Sequence, residues 1–278
     1  PAGDLGITEP NAGIETLQER LTPKAAAHLG SVKGRPRLLV ARHILEHAHD
    51  LPAFLEALRE LIHPEGYVVI EIPDCSRAVD SLDYTTLWEE HVSYFTPATF
   101  RSCLARSGWD LIRFETIPYS LEDSLIAIAR VGTGARKTAP RVSKRESRLA
   151  EEFFSGLAGE GNLYRKLLLS ILRGGEKIAI FGAGHLGAVF VNIHGLKDCV
   201  GCFVDDHPRK QGLFMPGSKL PILGSRALLE EEIGLCLLAL SPESEDKVVG
   251  KNREFLDRGG RFLSIFPSSK KALKAEPC

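Results

Sequence analysis

Apolar positions along the chain follow two rhythms in alternation. Pro36 to Ala41 (PRLLVA) and Tyr67 to Ile72 (YVVIEI) are short, continuous apolar runs, and each predicts a buried strand, the second stopped by Pro73. Between them Asp50 stands where an N-cap belongs. Leu51, Phe54, Leu55, Leu58, Leu61 and Ile62 follow at helical spacing, and Pro64-Glu65-Gly66 is a turn. Residues 73–96 have no period; a connection of that length in a folded domain points to function or disorder. Thr96 opens a helix to about Ser107, and strand-like runs follow at Trp109 to Thr116 and Ser124 to Arg130. Residues 131–143 (VGTGARKTAPRVS) lose apolar periodicity and gain Gly, Pro and basic residues, which marks a boundary. Residues 144–173 predict a long helix with a break at Gly159–Gly161. The strand rhythm then restarts at Lys177 to Phe181, Val200 to Val204, Leu235 to Leu240 and Arg261 to Ile265, with helices over 225–232 and 244–258. The pattern predicts an α/β chain: a first domain over 1–130, a linker over 131–143 and a smaller Rossmann-like domain over 144–278.

Composition narrows the class. Of 278 residues, 44% are hydrophobic and 26% charged, which excludes a disordered, collagen-like or disulfide-scaffold protein. No apolar run approaches the roughly 18 residues of a membrane span. Six irregularly spaced Cys and no leader pattern from Pro1 onward lead to the expectation of reduced thiols and a cytoplasmic location. Net charge is −1 but uneven. Residues 1–130 hold 12 Lys/Arg against 19 Asp/Glu (−7), and residues 131–278 hold 23 against 17 (+6). The second half suits an anionic ligand or is a solvated mix of charges. It lacks the basic stripe with interleaved aromatics that nucleic acid requires, so no nucleic-acid partner is expected.

Three segments carry candidate chemistry. Gly182-Ala183-Gly184-His185-Leu186-Gly187 follows a strand and opens a helix, the context in which G-x-G-x-x-G brings backbone close to a pyrophosphate. Asp205, at the end of the next strand, is placed for ribose hydroxyls. The same glycines also serve a plain tight turn. Arg42-His43-Ile44-Leu45-Glu46-His47-Ala48-His49 lies at the C-terminal end of a strand, where open α/β sheets collect ligands. Its HILEH formally matches an inverted zincin pattern, but the segment reads as a turn before the Asp50 cap, and no metal is expected. Cys199-x-x-Cys202 borders a strand without a second pair and reads as two buried thiols. Trp88-Glu89-Glu90-His91-Val92-Ser93-Tyr94-Phe95 packs two acids, a His and three aromatics into one loop. A carboxylate beside an imidazole raises its pKa and suits it to move a proton; the acids equally suit the start of the following helix.

On ARHILEHAHDLPAFLEAL, PEGYVVIEIP, WEEHVSYFTPATF, FGAGHLG and VDDHPRKQGLFMPGSKLPI, the chain resembles the class I S-adenosylmethionine-dependent methyltransferases. More narrowly, it resembles the sugar C-methyltransferases that act on nucleotide-linked keto-sugars. The last segment is similar to that family's C-terminal domain. The resemblance implies a partial class I methyltransferase core followed by a second Rossmann-like domain. It implies S-adenosylmethionine as cofactor and a nucleotide sugar as small-molecule substrate. The reaction is removal of a proton α to the ketone, then methyl transfer to the carbanion. The family's YHEH-type motif falls on Trp88, Glu89, Glu90 and His91. His91 then matches the base and Glu90 its acid, while Trp88 replaces a tyrosine and Glu89 a histidine. The histidine after the family's fourth strand falls on His47.

The family's acidic-Gly-x-Gly cofactor loop and Cys-rich module are not found in residues 1–36. Glu9 is the nearest candidate for the ribose-binding acid, and Arg42 joins it as a cofactor contact. The expectation is a fragment of an active enzyme or a degenerate relative, with weak affinity for S-adenosylmethionine. Trp88, Gly182, Gly184, Gly187 and Asp205 are the expected substrate contacts. An NAD(P)-binding oxidoreductase or sensor using the 182–187 loop, and an inactive nucleotide-sugar-binding module, are the alternatives.

Overall fold

The computed structural model describes residues 17–88, 90–132 and 143–273. Glu9, Glu89 and nearly all of the expected 131–143 linker lie outside the described residues. The chain builds two sheets. The first has the order β1-β2-β4-β3, from β1 (Leu38–Arg42), β2 (Tyr67–Asp74), β3 (Trp109–Ile117) and β4 (Asp123–Val131). β1 and β2 run parallel, and the remaining pairs are antiparallel. α1 (Pro23–Lys33), which the sequence reading missed, packs on α2 (Leu51–Leu61). The Asp50 carboxylate caps α2 by accepting from Ala53 N at 3.0 Å. The core of this half gathers Leu45, Leu55, Leu58, Ile70, Ile72, Phe100, Leu104 and Leu125, all buried.

Two strand expectations change. β1 is not buried: it is an edge strand, with Leu38 61% and Val40 55% exposed. β2 does not stop at Pro73 but runs on to Asp74. The Glu71 carbonyl faces β1 and accepts from His43 N, so Pro73, two residues on, faces the same side. There β1 has already ended, and a missing N–H breaks no ladder bond. The 73–96 connection holds α3 (Ser76–Ser81) and a 3₁₀ turn at Tyr84–Thr86. Thr96 caps α4 (Pro97–Arg106) in a reciprocal capping box with Thr99.

The second sheet, β7-β6-β5-β8-β9, is all parallel. It comprises β5 (Lys177–Phe181), β6 (Cys202–Val204), β7 (Ile222–Leu223), β8 (Ile233–Leu238) and β9 (Arg261–Ser264). α5 (Lys144–Arg173) is a single helix of 30 residues, without the expected break. Gly161 lies beside His194, where a Cβ would stand 3.4 Å from the His194 carbonyl oxygen, an ordinary contact. α6 (His185–Ile193) follows β5, as expected, and α7 is cut back to Ala227–Glu230. The helix expected over 244–258 is two, α8 (Pro242–Lys251) and α9 (Arg253–Asp257), parted at Asn252 where φ is −113° and ψ is 39°. Cys199, Cys202 and Cys236 are buried free thiols, and burial pushes Cys202 up to about 11.

The halves touch through side chains of the 73–96 connection. The Tyr84 hydroxyl donates to the Phe153 carbonyl at 2.6 Å, and its ring packs on Phe153 and His194. Among the described residues no helix is long and apolar enough to cross a membrane.

Candidate functional site

β1 delivers the first half of the site. Its last residue, Arg42, binds Glu71 across the sheet, and this hydrogen bond holds the Glu71 carboxylate below its usual range. His43 takes the left-handed conformation (φ 47°), uncommon for a side-chain-bearing residue, and reverses the chain. A 3₁₀ turn at Leu45–His47 follows, with Leu45 and Glu46 pointing inward.

The WEEHVSYF segment delivers the second half. His91 N donates to the Trp88 carbonyl, and the Tyr94 hydroxyl bridges Trp88 N (2.9 Å) and Trp88 O (3.2 Å), closing the loop. Val92 N and Ser93 N both donate to the Glu46 carbonyl, at 2.9 and 3.1 Å. This clamp brings His47 and His91 together across 44 positions of sequence, with ring centroids 4.7 Å apart at an 81° interplanar angle. The Glu90 carbonyl accepts from His47 Nδ1 at 3.0 Å.

Burial pushes the His91 imidazole below its ordinary value, and His47 adds to this; Glu90 pulls the other way. The direction is opposite to the sequence expectation. Glu90 is exposed, so its charge is solvent-screened and does not outweigh desolvation. The outcome suits a base, because the imidazole is neutral near pH 7 and its lone pair is available.

Sequence reasoning passed over a buried acid close to both rings. Glu46 is 2% exposed, and neither carboxylate oxygen has a hydrogen-bond partner among the described residues. His43 Nδ1 lies 3.5 Å from Glu46 Oε1, and His47 Nε2 lies 4.0 Å from it. Glu122 and Glu46 border the same small recess as His91, and burial raises the Glu122 carboxyl. The signal for Glu46 was present in HILEH, but the period of a three-residue turn does not tell which side chain faces inward.

The Gly-rich loop lies beside this loop. Trp88 stacks flat on His185, the first residue of α6, at 3.6 Å and 2°. Gly182 has φ 109°, and a Cβ there would stand 2.6 Å from the Ala239 carbonyl oxygen. A Cβ on Gly187 would meet the Phe203 ring at 2.7 Å. Gly184 faces open space, the condition for a ligand to approach its backbone. Asp205 is engaged locally: its carboxylate accepts from Ala183 N (3.1 Å), His207 N (2.9 Å) and Lys210 Nζ (2.9 Å). Desolvation would raise this carboxyl, but these bonds outweigh it and hold it below its usual range.

A cleft of about 610 Å³ opens between residues 19–22 and the turn after β1, walled by Leu21, Ile44, His47 and Phe54. It offers an apolar wall suited to an adenine ring. It offers no Gly-rich backbone cradle for the amino-acid end of S-adenosylmethionine among its lining residues, and Asp50 at its rim is committed to the α2 cap. The described residues therefore fit that cofactor only in part. Arg42, expected as a cofactor contact, is tied to Glu71.

Residues 145–267 match the family described as the C-methyltransferase C-terminal domain, and residues 7–113 match the family described as a methyltransferase domain. The C-methyltransferase NovU of Streptomyces niveus is 24% identical over 284 residues, covering 97% of this chain and 66% of that protein. The chain thus spans about two thirds of the length of that curated relative. Two solved structures are similar over parts of the chain. One is a SAM-dependent methyltransferase from Anabaena variabilis (17% identity, TM-score 0.36, 46% of this chain and 63% of that chain). The other is the Burkholderia thailandensis 1,6-didemethyltoxoflavin-N1-methyltransferase with 1,6-didemethyltoxoflavin and S-adenosylhomocysteine bound (14%, TM-score 0.28, 34% and 44%).

Proposed function

We propose that the chain is an S-adenosylmethionine-dependent C-methyltransferase that acts on a carbon α to the ketone of a nucleotide-linked sugar, a reading supported by its two matched domains in order. The observation that carries this reading is the His47–His91 pair, clamped at the C-terminal end of β1 with His91 held neutral. A carbon acid next to a ketone needs a neutral base within reach and a cationic or hydrogen-bonding partner for the enolate oxygen. His91 takes the proton. His47, whose Nδ1 donates to the Glu90 carbonyl, stands beside it and orients the sugar. Glu90 itself supplies a screened negative charge that favours the imidazolium once formed. Trp88, stacked on His185, forms the wall between the base and the Gly-rich loop, and Gly184 leaves room there for the diphosphate. S-adenosylmethionine supplies the methyl group when bound.

The nicotinamide reading draws no support from Asp205, whose carboxylate already binds its own loop. His91→Asn is expected to abolish solvent deuterium exchange at the carbon α to the ketone, a loss of about 100- to 10,000-fold. Nucleotide-sugar affinity should stay near wild type. Retained exchange in His91→Asn together with loss in His47→Asn would reverse the two roles; no effect of either would exclude the mechanism. With no Gly-rich cradle among the residues lining the cleft, the chain is expected to bind S-adenosylmethionine at least about a hundredfold more weakly than a site that has one, the equivalent of a few kcal/mol. Micromolar binding by calorimetry would refute that expectation.

A further inference from the structure

We propose that Glu46, His47 and His91 form a binding site for a divalent transition metal ion of the zinc class. The starting point is the Glu46 carboxylate, 2% exposed and, among the described residues, without a hydrogen-bond donor on either oxygen. A buried carboxylate left this way carries a heavy desolvation cost unless a cation answers it. The neighbouring rings of His47 and His91 each bring a nitrogen within 4.8 Å of this carboxylate. A carbonyl oxygen only accepts, so His47 Nδ1, which bonds the Glu90 carbonyl at 3.0 Å, carries the hydrogen. In the neutral ring Nε2 is then the open lone pair, and it lies 4.0 Å from Glu46 Oε1. A metal-ligating histidine almost always has this arrangement, one nitrogen on the metal and the other donating to a carbonyl or carboxylate.

One nitrogen of His91 completes the set, with the three ligand atoms all within 4.8 Å of one another. A tetrahedral ion with bonds near 2.1 Å wants its ligands about 3.4 Å apart. Closing that difference takes side-chain rotations of the two partly exposed rings around the fixed carboxylate. The backbone need not move, since the amides of Val92 and Ser93 already fasten the His91 loop to the Glu46 carbonyl. Two imidazoles and one carboxylate with an open fourth position is a zinc ligand set. Neither HILEH histidine spacing nor a helix supplies it; the third ligand comes from a distant loop.

The ion would occupy the lone pair that His91 needs as a base. Metal binding and proton abstraction are therefore mutually exclusive, and zinc acts as an inhibitor. That consequence rests on the function proposed above, whereas the binding itself does not.

Cobalt(II) is the probe. Titrating residues 1–278 with Co²⁺ near pH 7.5 is expected to give visible d–d absorption that saturates at one equivalent. Zn²⁺ should bleach it, and no thiolate charge-transfer band should appear. Glu46→Gln and His47→Asn, checked for folding by circular dichroism, should each weaken binding by about tenfold or more. If Glu46→Gln fails to fold, the His47→Asn variant decides, because that ring is about one-third exposed. Absence of saturable binding, a thiolate band, or unchanged affinity in the folded variants would overturn the site. The Glu46 carboxylate would then be answered by the neighbouring His43 and His47 rings.

Discussion

Gly182 shows how much one missing methyl can decide. Its φ of 109° is strained for any side chain, and its Cα faces the Ala239 carbonyl so closely that a Cβ would come within 2.6 Å. Both costs fall on backbone, which cannot swing aside. Gly182→Ala is expected to lower unfolding free energy by about 2 kcal/mol or more, read from the urea midpoint. Gly184→Ala, facing open space, should change stability little. If Gly184→Ala still weakens nucleotide-sugar binding, its role is ligand approach rather than the turn. At this scale the motif was legible in sequence, but the division of labour among its three glycines was not, because it depends on what stands opposite each Cα.

Elements meet at caps, and Thr96 is the clearest. Its hydroxyl accepts from Thr99 N, and its backbone amide donates back to Thr99 Oγ1. The same hydroxyl reaches Glu146 on α5, 50 residues away, at 2.9 Å. Thr96→Ala should therefore cost about 1 to 2 kcal/mol, at or above the usual effect of an N-cap, while Thr96→Ser keeps most of it. Equal losses for Ala and Ser would mean that the methyl group, not the hydroxyl, matters. The cap was readable from Thr-Pro ahead of an apolar period. Its tie to α5 was not, since sequence distance says nothing about which helix will lie alongside.

Across the whole molecule, His194 marks the seam between the halves. It packs against Tyr84 from the first half and Tyr164 and Phe190 from the second. Burial pushes its imidazole down to about 4. The unfolded chain titrates near 6.5, so between about pH 6.5 and 4 the unfolded state binds the extra proton and the folded state does not. Stability is then full above pH 6.5 and falls as pH drops through that window. The loss is on the order of 2–3 kcal/mol after allowing for the part of the ring that water reaches. Urea unfolding at about pH 7.5 and 4.5 should show this loss in the wild type and a smaller one in His194→Leu. Equal losses in both would assign the acid sensitivity elsewhere.

What the chain determined on its own is local. Alternating strand and helix rhythms set the two α/β halves, the Asp50 and Thr96 caps set two helix starts, and a strand followed by GAGHLG set the β5 turn into α6. Each follows from neighbours a few residues apart, whose backbone preferences and burial act together. Tertiary structure alone decided the rest. It kept α5 unbroken through Gly159–Gly161, because burial of Phe153, Tyr164 and Leu168 on either side outweighs the weak helix propensity of glycine. It left β1 at an exposed edge. It also carried His91 across 44 positions to His47 and turned Glu46 inward between His43 and His47, because backbone amides at 92 and 93 found the Glu46 carbonyl. A pairing between distant segments is selected by the packing of the whole fold, and no window of sequence contains it.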